Sequence, residues 1–202
     1  MATKEIAVHR IVVPQPRQRT HGLQRLCFIV MLLVGSMATA ATLPETITVD
    51  DITLTLNGEG QRNKYLMNVY VAGLYLQSRE QDAEEIIRRD EVQAVQLTIT
   101  SSRVTQKRFM DSIEDGFRKS AGDDYPDYAP FLAELREDMA DIDIKDGDVF
   151  RFIYRPDEGT RFLRNDETLR VIEGLDFKQV LFGIYLGKDP VQDSLKRDML
   201  GR

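Results

Sequence analysis

Alternation of apolar and polar residues opens the ordered part of the chain. Ile52-Thr53-Leu54-Thr55-Leu56 has the period of two expected of a half-buried strand, and Asn57-Gly58 after it is a turn signal. The stretch Tyr65 to Leu76 is apolar on both faces and rich in aromatic and β-branched residues, which predicts a central strand covered on both sides. Asp82 to Arg89 reads as a short helix capped by Asp82, with acids in its first turn. Gln93 to Thr100 alternates again and reads as a strand.

The period then changes. Between Thr105 and Ser120, Phe109, Ile113, Gly116 and Phe117 fall on one helical stripe, with Gly122 as the stop. A second helix is expected over Asp127–Ala140, with Pro130 in its first turn and Phe131, Leu132, Leu135 and Met139 on its buried face. Asp148–Arg155 returns to strand, Asp157-Glu158-Gly159 turns, and Thr160–Arg164 completes a hairpin. Leu169–Ile172 reads as one more short strand, and Phe177–Tyr185 and Val191–Leu200 as closing helices. No linker or repeat interrupts this order, which predicts one α+β domain with an antiparallel sheet against grouped helices.

Charge distribution sets the first segment apart. Residues 1–25 hold five basic residues against one acid, Leu26–Val34 is an apolar run, and Ala38-Thr39-Ala40 fits a small-residue cleavage rule. A cleaved signal peptide over 1–40 is therefore expected, with cleavage after Ala40 and a single domain over 41–202. The apolar run falls short of the roughly 20 residues that span a bilayer. The remaining 162 residues carry 22 basic and 32 acidic residues, a net charge of −10, and neither cysteine nor histidine. That balance argues against nucleic acid as a partner.

The missing residue types exclude whole mechanisms. No disulfide, thiolate nucleophile, histidine general base or Cys/His zinc site can form in residues 41–202. Asp141, Asp143, Asp146 and Asp148 lack the glycine and glutamate of a calcium loop and read as a solvated turn, so no metal is expected. Gly58 and Gly60 lack the third glycine of a dinucleotide motif, and no cofactor is expected.

Two stretches carry a resemblance. Leu56-Asn57-Gly58-Glu59-Gly60-Gln61-Arg62, followed by Val69 to Leu76, resembles the first hairpin of chalcone isomerase-like proteins. Leu186-Gly187-Lys188-Asp189-Pro190-Val191 with Ser194-Leu195-Lys196 resembles their last helical segment. The likeness covers nearly all of residues 46–201 and looks closest to the family's secreted bacterial branch. It implies an open-faced β-sandwich of the chalcone isomerase type, with a ligand cleft between a large antiparallel sheet and grouped helices. The plant enzymes of that family close a flavanone ring with an arginine, a threonine, a tyrosine, an asparagine and a late hydroxyl. Here Arg62 matches the arginine and Tyr70 stands at the threonine position. Thr105, Ser112 and Ile184 fall at the other three, so one of five is kept and no catalytic residue is assigned. A second branch, the plastid fatty-acid-binding proteins, holds a lipid carboxylate with an arginine and a tyrosine, and Arg62 and Tyr70 resemble that pair.

The resemblance thus implies a periplasmic, non-catalytic protein that binds a small amphipathic carboxylate such as a fatty acid through Arg62 and Tyr70. The alternatives are an isomerase or intramolecular lyase, in which Arg62 lowers the pKa of Tyr70, and an envelope module that meets a protein partner. Residue chemistry alone leaves structural roles open: Arg62 pairing with one of the many acids, and Tyr70 as a core aromatic. Lys64, Arg103, Arg151 and Arg155 read as solvated, with Arg151 a further candidate to reach the cleft.

Overall fold

The computed structural model describes residues 43–64 and 67–202. The leader expected over 1–40, with its cleavage site, lies outside the described residues. Seven strands form one antiparallel sheet in sequence order: β1 (Thr46–Val49), β2 (Ile52–Lys64), β3 (Met67–Leu76), β4 (Gln93–Ile99), β5 (Val149–Arg155), β6 (Gly159–Arg164) and β7 (Glu167–Ile172). The helices are α1 (Ala83–Arg88), α2 (Gln106–Ala121), α3 (Tyr125–Asp138), α4 (Leu175–Leu186) and α5 (Asp193–Met199). Among the described residues no helix is long and apolar enough to cross a membrane.

Strand alternation assigns the two faces of the sheet. Tyr70, Ala72, Leu74 and Leu76 of β3 point with Val95, Leu97, Ile99, Phe150, Phe152 and Phe162 into the core shared with the helices. Val71 and Tyr75 point the other way and join Leu43, Val49, Leu54, Ala94 and Ile153 in a smaller cluster. The double-sided apolar character of β3 thus has its cause in a covered third strand. On the helix side, Phe109 stacks on Phe150 at 4.4 Å, and Phe131 meets Phe177 edge-on at 4.7 Å.

Asn57-Gly58 does not turn the chain. β2 continues past it, with a register shift between Leu56 and Gly58. The Asn57 side chain is buried: Nδ2 donates to the carbonyls of Glu80 (2.9 Å) and Met199 (3.0 Å), and Oδ1 accepts from the Glu80 N–H (2.8 Å). Gly58 and Gly60 let α5 lie directly on the strand; a Cβ would stand 2.2 Å from the Asp198 carbonyl oxygen at Gly58 and 2.7 Å from the Asp198 side chain at Gly60. Turn residues here serve a helix contact made across the whole chain, which local pattern cannot register.

Other departures are smaller. β1 had too few residues to show alternation. α3 starts at Tyr125 with Pro126 in its first turn, so Pro130 sits inside the helix rather than at its start. Asp148 is not a solvated turn residue. It is buried, accepts from Arg164 (2.8 Å), Asn165 (2.9 Å) and the Lys145 N–H (2.9 Å), and these hydrogen bonds hold its carboxyl below the usual range against the opposing effect of burial. Arg155 is engaged as well, by Asp50, Asp157 and Glu158.

One buried cation ties the helix layer together. Lys178 of α4 is fully buried, and its ammonium donates to the carbonyls of Ile86 (2.7 Å), Ile87 (2.9 Å) and Arg89 (2.8 Å) at the end of α1. Three donors meet three otherwise orphaned helix-end acceptors. Burial pulls its pKa down to about 8, opposed by the charges of Glu91 and Asp90. Lys178→Met leaves those carbonyls without donors and should lower unfolding free energy by about 2–4 kcal/mol in urea titrations. Between pH 8 and about 10.5 an unfolded lysine holds a proton that the folded one has shed. Stability from this group therefore rises across that window, and Lys178→Met should lack the gain seen between pH 7.5 and 9.5.

Candidate ligand cleft

A cavity of about 330 Å³ opens between the sheet and α2, α4 and the segment before α5. Its size lies at the lower end of small-molecule sites, which span roughly 300–1,000 Å³. Leu97 and Phe152 from the sheet, Phe109 and Ile113 from α2, and Leu181 and Ile184 from α4 give it apolar walls. Each is a core position of its own element, so the sequence pattern that builds the core also lines the cavity. Core and cavity positions look alike in a sequence.

Polar groups gather at one end. Arg62 and Tyr70 are register partners across β2 and β3, and both line the cavity. Arg62 is half-buried, and its Nη1 donates to the Asn63 carbonyl (2.7 Å) and Gln192 Oε1 (3.1 Å). Gln192 also accepts from the Asn63 N–H (2.9 Å) and donates to the Gln61 carbonyl (3.0 Å), so it clamps the strand as well as the guanidinium. All these partners are neutral. Arg62 has no carboxylate among the described residues, and the expected pairing with an acid is not made.

Tyr70 is buried, and its hydroxyl meets both the Arg62 guanidinium and the hydroxyl of Tyr185. Burial is the largest influence and raises the Tyr70 pKa to about 12, although Arg62 and Tyr185 each pull it down. Tyr185 is also raised well above the usual value, first by burial and then by Tyr70. The idea that Arg62 would make Tyr70 acidic is thus overturned: desolvation of the phenolate outweighs one neighbouring cation. Both phenols stay protonated at neutral pH. A protonated Tyr70 hydroxyl can donate a hydrogen bond as well as accept one.

The other sequence candidates divide. Ser112 and Ile184 line the cavity, Ser112 half-buried and Ile184 buried. Thr105 is not in the lining; it is the N-cap of α2, and its Oγ1 accepts from the Arg108 N–H (3.3 Å). Arg151 is on the opposite face of the sheet, bonded to Gln96 (2.8 Å) and paired with Asp166. Lys64 and Arg103 are exposed, as expected, and with Arg108 they also line the cavity. Tyr185 was missed, since a tyrosine within an apolar helix reads as packing. Among the described residues no group of acids is arranged to hold a metal.

An antiparallel sheet with helices on one face, enclosing an apolar cleft with an arginine and two phenols at its end, defines an α+β domain with a cleft of small-molecule size. The chain belongs to the chalcone isomerase-like family, whose model matches residues 36–201. Its fold is similar to that of an Arabidopsis thaliana fatty-acid binding protein, at 16% identity and a TM-score of 0.63, over 78% of this chain and 90% of that one. No curated protein matches the sequence.

The tyrosine shift has a measurable sign. An unfolded tyrosine ionises near pH 10, whereas folded Tyr70 holds its proton to about 12, so its contribution to stability is intact below pH 10 and lost between 10 and 12. The fall in unfolding free energy from pH 10 to 11 should be shallower in Tyr70→Phe than in the unaltered protein, as followed by urea titration at both pH values.

Proposed function

We propose that this protein is a secreted, non-catalytic carrier or sensor of a small amphipathic carboxylate such as a fatty acid. The apolar walls take the alkyl chain, Arg62 forks onto the carboxylate, and Tyr70 donates a further hydrogen bond. The observation that carries this reading is Arg62 itself: a half-buried guanidinium, held by neutral groups beside two protonated phenols, at the end of an apolar cavity. A cation positioned without a counter-charge is complementary to an anion from outside. The name of the Arabidopsis neighbour supports the same ligand class.

Catalysis is disfavoured on chemical grounds. Thr105 is engaged as a helix cap, Ile184 has no hydroxyl, and Tyr70, its pKa raised to about 12 by burial, is protonated and offers no base at neutral pH. The basic leader and Ala38-Thr39-Ala40 support export with residues 41–202 as the mature domain, and a resemblance to the family's secreted bacterial branch supports the periplasm as its destination. A mature mass beginning at Ala41 in a periplasmic extract would check that part; a full-length mass would overturn it.

Native mass spectrometry of the extracted protein, followed by solvent extraction, should show a bound fatty acid. Arg62→Ala should weaken fatty-acid binding by roughly 10- to 100-fold, as expected for loss of a charge-assisted pair. Tyr70→Phe should cost about 0.5–1.5 kcal/mol of binding. Both variants should keep the far-ultraviolet circular dichroism of the parent. Unchanged affinity in Arg62→Ala would sink the site assignment, and a protein that stays empty when offered fatty acids would favour a partner-binding module.

A further inference from the structure

Gln192 stands where a helix cap is expected and does not cap. It is the residue before α5, with extended backbone at φ −164° and ψ 126°, a position that favours a short side chain bonding the N–H groups of the first turn. Its side chain makes no such bond and crosses instead to β2. The segment that carries it is fixed from the other side. The Val191 N–H donates to the Ile184 carbonyl of α4 at 2.9 Å, and both residues line the cavity.

The side chain arrives at a break in the strand register. Arg62 pairs with Tyr70 across β2 and β3, but the next pair is Asn63 with Asn68, so β3 holds one extra residue at this point. Gln192 Oε1 accepts from the Asn63 N–H there at 2.9 Å and from Arg62 Nη1 at 3.1 Å. Its Nε2 donates to the Gln61 carbonyl at 3.0 Å and to the Ser194 hydroxyl at 2.7 Å. Both acceptor sites and both hydrogens of the amide are thus used, which sets its orientation: a flip would face its oxygen to the Gln61 carbonyl and its hydrogens to two donors. Arg62 Nη1 spends its other hydrogen on the Asn63 carbonyl at 2.7 Å, so the Nε and Nη2 hydrogens remain for other partners.

We infer that Gln192 is a positioning residue that sets the charge preference of the cleft: it aims the Arg62 guanidinium while leaving its charge uncompensated, so that an anionic head is preferred over a neutral head on the same chain. This rests on the ligand-binding reading above and adds the residue on which its specificity turns. A methionine of similar length would drop all four hydrogen bonds. A glutamate would keep the contact to Arg62 but supply the counter-charge from inside the protein. Asn63 is exposed, so water can replace the lost partner of its N–H, and the effect of either change falls on Arg62 rather than on the fold.

The test is calorimetry at pH 7.5 with decanoate and decanol on the purified, delipidated protein and its variants, with urea titration as the check on folding. The unaltered protein should prefer decanoate by about tenfold or more, as expected of a charge-assisted bond. Gln192→Met should weaken decanoate binding about 5- to 10-fold while decanol stays within about twofold, whereas a merely structural role would lower both alike. Gln192→Glu should remove the preference. In an Arg62→Ala background, Gln192→Met should change decanoate affinity by no more than about twofold, because the two residues act as one unit. Equal weakening of both ligands in Gln192→Met, an undiminished decanoate preference in either Gln192 variant, or a full Gln192→Met effect without Arg62 would each overturn the positioning role. In those cases a preference abolished by Arg62→Ala would leave the carboxylate reading standing. No preference for decanoate in the unaltered protein would overturn that reading, and the positioning role with it.

Discussion

Close contact between α5 and β2 is the constraint on which the candidate site depends. The helix can lie on the strand because Gly58 and Gly60 present no side chain to it, and because Asn57, displaced by the register shift, bridges the backbone of Glu80 and Met199. Once α5 is seated, the residue before it, Gln192, reaches Arg62 and the backbone on both sides of it. The guanidinium is thereby fixed by a chain segment 130 residues away in sequence. No charge is spent in doing so. A carboxylate in place of the Gln192 amide would have neutralised Arg62 and removed its capacity to receive an anion.

The same site shows burial winning over a charge. Arg62 beside Tyr70 favours the phenolate, but desolvation disfavours it by more, and the pKa settles at about 12. A second phenol, Tyr185, shares that environment. The result is a polar end that donates hydrogen bonds and carries positive charge without offering a base at neutral pH. Such an end is suited to holding an acid group and poorly suited to proton abstraction. The family membership and the plant-protein fold likeness are compatible with either activity, so this local electrostatic balance favours binding.

The cations of the domain are put to different uses. Most arginines are absorbed into ion pairs that contribute little individually at an exposed surface. Arg62, at the end of the cavity, has no carboxylate among the described residues and keeps its positive charge for an anion from outside. Buried Lys178 shows the contrasting use of a cation. Its three donors are consumed by helix-end carbonyls, and it has a structural part far from any ligand.

Most of the fold was legible in the sequence. Six of the seven strands show local alternation or apolar runs, and the helices show stripes and caps, because these signals depend on neighbours two to four residues away. Thr105 and Asp82 were readable as helix starts for the same reason. The family resemblance singled out Arg62 and Tyr70, and their spacing permits a hairpin pairing. Only tertiary structure decided that Asn57-Gly58 would be a bulge under a helix, that Gln192 would hold Arg62, and that exposed Arg103 and Arg108 would also border a cavity. It also decided the protonation of Tyr70, since the cost of burying a charge depends on what surrounds it. Sequence fixes residue type and local period; partners brought from far along the chain, and the dielectric they create, belong to the folded state.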